Sequence, residues 1–299
     1  MRETGSDDVS SQDPDTSRLP ALRPQTLVLT LFGEYVLGRS VCVYSGSLID
    51  AAARVGVAEH AARSTLTRMV NRGLLRRQRH GRRMYFGLTA RSERILMDGR
   101  RRALETGAVN HDWDGSWTLL AFSLPDAWQR QRRDLRSQLV WAGFGPLQGG
   151  LWIAPGGPDV APIVAGLGLD AHVRVFRAQA DQVTDVSQII RDAYDVDGLA
   201  RVYEDFLARW EHVAESGPSP DPFAAKLRLV ADWLQLVRRD PHLPFQHLPD
   251  DWPALHAQKV FTHLDDALRR PAAEIAEQVL EMIPDDRDQA SACQESIIH

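Results

Sequence analysis

Cysteine is almost absent. Cys42 and Cys293 are the only two, far apart and with no CxxC pair, so neither a disulfide framework nor a zinc ribbon can be built. A reducing cytoplasm suits such a chain best. No apolar run approaches the roughly 20 residues a membrane helix needs; the longest, such as Thr26 to Phe32, stop far short. The opening stretch, MRETGSDDVSSQDPDTSR, is acidic and Ser/Asp-rich and lacks the apolar segment of a secretory signal, so residues 1–18 read as a disordered tail. There is no internal repeat. Gly143-Phe144-Gly145 lacks the following glycine of a dinucleotide fingerprint. The acidic pairs Asp250-Asp251, Asp265-Asp266 and Asp285-Asp286 stand near prolines and helix ends and read as solvated caps, and His172 as a structural strand residue. Neither a metal nor a cofactor is expected, and no membrane partner.

What the chain does have is a strongly uneven charge distribution. Its 299 residues are 43% hydrophobic and 25% charged, ordinary for a globular protein of two or three domains, with a formal net charge of −5. Spread evenly, that charge would argue against a nucleic-acid partner. Between Arg54 and Arg102, however, fourteen arginines stand against Glu59, Glu93 and Asp98, a local excess of eleven positive charges. The acidity lies in the tails and the last third. A basic module on an acidic body is the electrostatic footprint of nucleic-acid binding.

Apolar spacing predicts a first helix over Leu22 to Leu37 with Pro24 in its first turn, and a second over Leu48 to Arg54 capped by Ser47. A third follows from about Glu59 to Asn71, stopped by Gly73. Two strands, Leu74 to Arg79 and Arg82 to Leu88, meet at His80-Gly81, and Thr89 caps a last helix to about Leu104. That order predicts a winged helix-turn-helix over 19–104. Over 112–180 the signals run strand (Trp117 to Leu124), helix (Ala127 to Trp141), two strands around Gly149-Gly150, helix (Asp159 to Leu167) and strand (His172 to Ala178), a βαββαβ order that predicts a ferredoxin-like domain. From 186 to 283 helix dominates, with Ala193 to Trp210 and Ala224 to Arg239 clearest, and residues 284–299 read as frayed. The fold class expected is α+β, multidomain.

At 100° per residue, Ala62, Leu66, Met69 and Val70 share one face of the third helix, and His60, Ser64, Thr67 and Asn71 the other, flanked by Arg63 and Arg68. Short hydrogen-bonding side chains between guanidinium groups suit the major groove, where Ser, Thr and Asn reach base edges and Arg reaches guanine or phosphate. Such a face alone is equally a solvated surface. The hairpin tips the balance: Arg76, Arg77, Arg79, Arg82 and Arg83 crowd it with no acidic partner, a self-repelling arrangement unless an anion is bound.

Seven segments resemble the PaaX-type repressors of phenylacetate catabolism: TLFGEYVLGRS (Thr30 to Ser40), SGSLI (Ser45 to Ile49), VAEHAARSTLTRMVNRGLL (Val57 to Leu75), GRRMYFGLT (Gly81 to Thr89), WDGSWTLLAFSLP (Trp113 to Pro125), GFGPLQGGLWIAP (Gly143 to Pro155) and RRDPHLPFQHLPDDWP (Arg238 to Pro253). They run in order over nearly all of 22–280. The resemblance implies a winged-helix domain, a central domain similar to the CRISPR adaptation nucleases and a helical C-terminal domain. It further implies a homodimer on an inverted-repeat operator in duplex DNA, repression of an aromatic catabolic operon, and release by an aryl or acyl coenzyme A ester. Arg63, Ser64, Thr67 and Arg68 match the family's recognition-helix pattern, and Gly81, Arg82 and Arg83 its wing. Ala58 stands where the family commonly has a capping Ser. Two other functions compete: a regulator of secondary metabolism with another effector, and a metal-dependent nucleic-acid-processing enzyme. The nuclease relatives carry an acid near the end of the first strand, where this chain has Ala121, Phe122, Ser123 and Leu124, so no enzyme is expected. Trp113, Trp117, Trp141 and Trp152 read as packing residues or, in part, an effector pocket. Arg238 and Arg239 are candidates for the coenzyme A phosphates, or for a structural network with Asp240 and Asp251.

Overall fold

The computed structural model describes residues 19, 22–104, 108–148, 150–217 and 219–286. Pro24 opens α1 (Pro24–Tyr35), where its missing amide hydrogen costs nothing. A strand that the sequence reading lacks, β1 (Val41–Tyr44), precedes α2 (Ser45–Arg54). Ser47 is therefore not a cap. It lies buried inside α2, its hydroxyl accepting the Glu281 amide at 3.1 Å. α3 (Glu59–Asn71) starts after Ala58 without a side-chain cap. It ends at Gly73 (φ +66°), whose amide donates to the Val70 carbonyl while the Leu74 amide donates to that of Met69. β2 (Leu75–His80) and β3 (Arg83–Leu88) pair with His80 opposite Arg83, so the turn is Gly81-Arg82, one residue later than expected, with Gly81 at φ +60°. Thr89 and Ser92 bond each other's amides at 2.9 and 3.2 Å, the expected start of α4 (Ala90–Leu104).

The central segment runs β4 (Ser116–Phe122), α5 (Gln129–Trp141), β5 (Gly145–Pro146), β6 (Leu151–Pro155), α6 (Ala161–Leu167) and β7 (Val173–Gln179). Its sheet is antiparallel in the order β5-β6-β4-β7. Alternation along β4 builds two cores: Leu120 and its partner Trp152 face a cluster with Leu135 and Leu139 of α5, whereas Trp117 and Ile153 face Leu243 and Ile190.

Ile190 belongs to α7 (Val186–Ala193), which α8 (Val196–Glu215), α9 (Pro222–Val237) and α10 (Ala254–Val279) follow. Asp185, Asp195 and Asp221 cap the first three of these by accepting first-turn amides. The chain then forms β8 (Met282–Pro284), which pairs antiparallel with β1 and gives the first sheet the order β2-β3-β1-β8. This corrects the expectation that helical structure ends at 283 and a frayed tail begins at 284. The edge of β1 carries fully buried Cys42 and Val43, and a three-residue strand is enough to cover it. The expected tails, 1–18 and from 287 onward, lie outside the described residues.

The parts share a core. Phe223, Leu227, Ala276 and Leu280, from α9, α10 and the residue after it, sit in one apolar cluster with Leu31, Phe32 and Met69 of the N-terminal helices. Tyr35 and Phe223 stack at 5.4 Å, and Arg54 at the end of α2 pairs with Asp221 at 3.0 Å. Phe223→Ala should cost about 3–5 kcal/mol. Because the ring it removes packs on α1, urea unfolding followed by circular dichroism and tryptophan fluorescence should show one coincident transition at lower midpoint. Two separated transitions would mean that the N-terminal and C-terminal helices fold independently.

Candidate nucleic-acid interface

α3 presents two faces. Ala62, Thr65, Leu66 and Met69 are buried; His60, Arg63, Ser64, Thr67, Arg68 and Asn71 are all exposed. The apolar side of that division is the one the 3.6-residue period predicts: Thr65, at 62, 65, 66, 69 spacing, completes it with its hydroxyl accepting from Arg68 Nη2 at 3.0 Å, and Val70 at its margin is half-buried. The polar side is tied together along the helix. Arg63 pairs with Glu59 at 2.7 Å, Arg68 Nη1 donates to Ser64 Oγ at 3.1 Å, and Thr67 Oγ1 donates to the Arg63 carbonyl. At such exposure these contacts are weak and exchange readily for others, so the side chains can be given up to a partner at little cost.

The hairpin arginines fall into two groups. Arg77, Arg79 and Arg82 are exposed, and Arg79 Nε donates to the Gly81 carbonyl at 3.1 Å. Among the described residues Arg77 and Arg82 carry no ion pair. Arg83 and Arg76 do, which corrects the expectation of a hairpin without acidic partners. Arg83 Nη1 lies 2.7 Å from both carboxylate oxygens of Glu281 and stacks 5.0 Å over the Tyr44 ring. Arg76 pairs with Asp285, and its Nη2 donates to Cys42 Sγ at 3.1 Å. Both acids come from the ends of β8, far beyond the hairpin (198 residues from Arg83 to Glu281, and further still from Arg76 to Asp285), where local sequence gives no signal. Asp285 is buried, as is Asp265, which pairs with Lys226; neither is the solvated cap expected of it. The Tyr85 hydroxyl donates to Glu281 at 2.6 Å. That bond, with the Arg83 guanidinium, holds the Glu281 carboxyl below the usual carboxylate range, and Glu281 in turn raises the Tyr85 phenol.

A second feature lies where the parts meet. A cavity of about 1000 Å³ is walled by α1, α4, α5, α6, α9 and α10. Leu29, Leu96, Ile163, Leu234 and Phe261 give it apolar walls. Lys226, bonded to Asp265 and 3.4 Å from Glu34, supplies a buried charged corner, and the Gln235 amide nitrogen is buried there with no hydrogen-bond partner among the described residues. Trp141 and Arg238 stack at 4.9 Å on its wall. The two candidate arginines are thus separated: Arg238 lines the cavity and Arg239 does not, its guanidinium lowered by burial. Asp240 accepts from the Tyr203 hydroxyl and the His242 amide. Trp117 and Trp152 are buried packing residues, and Trp113 packs edge-on against Trp117. No metal-binding cluster occurs among the described residues, and no helix among them is long and apolar enough to cross a membrane.

The geometry defines a multidomain α+β protein with two antiparallel sheets and a strongly cationic hairpin beside an exposed helix. Three family models match it in sequence order: the PaaX-like protein at residues 23–92, the PaaX protein central Cas2-like domain at 110–190 and the PaaX-like protein C-terminal domain at 194–278. The chain belongs to the PaaX-type family of transcriptional regulators. It is 25% identical over 239 residues to the transcriptional repressor PaaX of Escherichia coli (strain K12), covering 76% of this chain and 74% of the relative. An uncharacterized protein from Mycobacterium tuberculosis has a similar structure, with a TM-score of 0.54, 25% identity and coverage of 86% of this chain and 99% of that one.

If the Tyr85 hydroxyl is the main brace on Glu281, Tyr85→Phe should raise the Glu281 titration midpoint toward the ordinary carboxylate value. A folded-state depression stabilises above the unfolded value and is lost as pH falls through the folded one. The variant should therefore lose the stabilisation from this group at higher pH than the parent does. Carbon-13 detection of the Glu281 carboxyl during titration reads this directly, and an unmoved midpoint would assign the depression to Arg83 instead.

Proposed function

We propose that this chain is a DNA-binding repressor in which residues 19–104 form a winged helix-turn-helix, with α3 entering the major groove and the β2–β3 hairpin acting as the wing. The observation that carries this reading is the division of α3: every residue that chemistry would choose for base and phosphate contact is exposed, opposite a buried apolar face and beside a hairpin bearing Arg77, Arg79 and Arg82. Residues 112–180, with their βαββαβ order and β5-β6-β4-β7 sheet, support a ferredoxin-like central domain, and 186–283 a helical one that lends β8 to the first sheet. A single winged helix reads few base pairs, so the reading includes a homodimer on an inverted repeat. Its place is the cytoplasm, where the operator lies.

The test separates reading from positioning. Thr67→Ala or Arg68→Ala should cost about 1–3 kcal/mol on the operator and much less on random DNA. Arg79→Ala with Arg82→Ala should weaken both alike and flatten the log-log salt dependence by about 0.9 for each phosphate no longer neutralised. Fluorescence anisotropy on the protein's own upstream DNA and on a random duplex measures both; unchanged slopes would remove the wing assignment.

The regulated operon in this reading is an aromatic, phenylacetate-type catabolic one, and the effector is an aryl coenzyme A ester held in the cavity at the junction of the parts. What supports the cavity is its size, in the range of small-molecule sites, its apolar walls, and Arg238 as a guanidinium for phosphate. α1 and α4 of the N-terminal part line this cavity together with helices of the central and C-terminal parts. Titration of the full chain with phenylacetyl-coenzyme A should show binding by calorimetry that Arg238→Ala weakens at least tenfold, worth about 1.4 kcal/mol. By reciprocity, operator DNA must weaken ester binding by the factor by which the ester weakens DNA binding. No heat of binding would move the effector to another chemical class.

A further inference from the structure

The wing arginines do not stand in one electrostatic environment, and the difference is made by the opposite end of the chain. β8 lies on the open edge of β1, with Glu281 just before it and Asp285 just after. Glu281 is fixed through its backbone: its amide donates to Ser47 Oγ at 3.1 Å and its carbonyl accepts the Tyr44 amide at 2.9 Å. Its carboxylate then reaches Arg83 and Tyr85. Asp285 is fixed likewise, its amide donating to the Ser40 carbonyl at 2.9 Å, while Gln78 Nε2 holds the preceding Pro284 carbonyl at 3.0 Å. These are placed carboxylates, not a passing touch from a tail.

We propose that Glu281 and Asp285 select which hairpin arginines can grip DNA phosphates: Arg83 and Arg76 are withheld, and Arg77, Arg79 and Arg82 are presented. The proposal rests on the DNA-binding reading above and refines it. Arg76 is drawn inward, its side chain 21% exposed against an Asp285 side chain at 3%. Arg83 is different. Its side chain is 56% exposed, so it stands within the cationic surface and could meet a phosphate if released. Moving Arg83 from Glu281 to a phosphate exchanges one anion for another and leaves an uncompensated carboxylate beside the DNA backbone. An exposed pair is worth little by itself, but the repulsion between an orphaned Glu281 and a polyanion opposes the exchange. Glu281 thus acts on DNA through Arg83, as a positioning residue.

Glu281→Gln removes the charge and keeps the shape, and with the Glu281 side chain 42% exposed the strand pairing should survive, which a thermal melt of the full-length variant verifies. On a random duplex the variant should bind several-fold more tightly, and its log-log salt slope should steepen by about 0.9, as one further phosphate is neutralised by Arg83. Arg83→Ala in the native chain should leave the slope unchanged; the same substitution in the Glu281→Gln background should return the steepened slope to the native value. An unchanged slope in Glu281→Gln, or a flatter one in Arg83→Ala alone, overturns the proposal. The control is Arg79→Ala with Arg82→Ala. If that pair flattens the slope while Glu281→Gln does nothing, the wing stands and only the carboxylate selection fails; if neither changes it, the hairpin does not touch DNA and both fall.

Discussion

Lys226 is the tie on which the arrangement of the helices depends. Its side chain, 5% exposed, leaves α9 to meet Asp265 of α10 and stands 3.4 Å from Glu34 of α1. Desolvating an ammonium costs several kcal/mol, recovered only where partners and geometry are good. Two carboxylates from two other helices meet that demand, and Arg269 adds a second cation on Asp265 at 3.1 Å. A displaced α1 or α10 would leave a charge buried without its counterion, a far larger penalty than some loosened apolar packing. The cluster therefore fixes relative position more than it adds stability, while the Tyr35–Phe223 stack and the shared apolar core beside it supply the stability.

That tie also borders the cavity, so the same helices serve two surfaces. α10 lines the cavity through Phe261, Asp265 and Arg269 and ends at Val279, two residues before Glu281. Leu280 between them is buried in the core shared with α1 and α3. The chain is thus continuous, with no flexible linker, from the cavity wall to the carboxylate on Arg83. A close-packed core passes on displacement instead of absorbing it. One helix, with Pro271 in its interior, thus leads from the cavity wall to the carboxylate on Arg83 and joins the two surfaces through packed structure.

The local part of this was legible in the sequence. The faces of α3 follow from a 3.6-residue period, the hairpin from Gly81 between two short strand runs, and the capping at Thr89 from residue chemistry; each needs only neighbours within a few positions. What was not legible is long-range. β1 is four residues and β8 three, too short for an alternation signal, and they exist because each covers the other's open edge. Ser47 has the chemistry of a cap, and nothing nearby reveals that the Glu281 amide arrives at its hydroxyl. Asp265 and Asp285 have the chemistry of solvated acids; Arg269 is a local partner for Asp265, but the buried cation on it, Lys226, is 39 residues away, and Arg76 reaches Asp285 from another element. Arg238 and Arg239 are adjacent in sequence, yet only Arg238, at the end of α9, lines the cavity.

The net charge of −5 takes on a physical meaning once these pairs are seen. A hairpin with five arginines would repel itself strongly if all five were unpartnered, and the folded unit would bear that repulsion whenever no polyanion was present. Pairing Arg76 and Arg83 with acids delivered by β8 lowers that crowding, most of all at the inward-drawn Arg76, where water screens least. The cations left, Arg77, Arg79 and Arg82, are all exposed and so cheap to leave without an ion pair. An acidic chain can thus carry a basic surface without destabilising it. The local charge excess overstates how many arginines face outward, because it counts charges but not the distant acids that neutralise them.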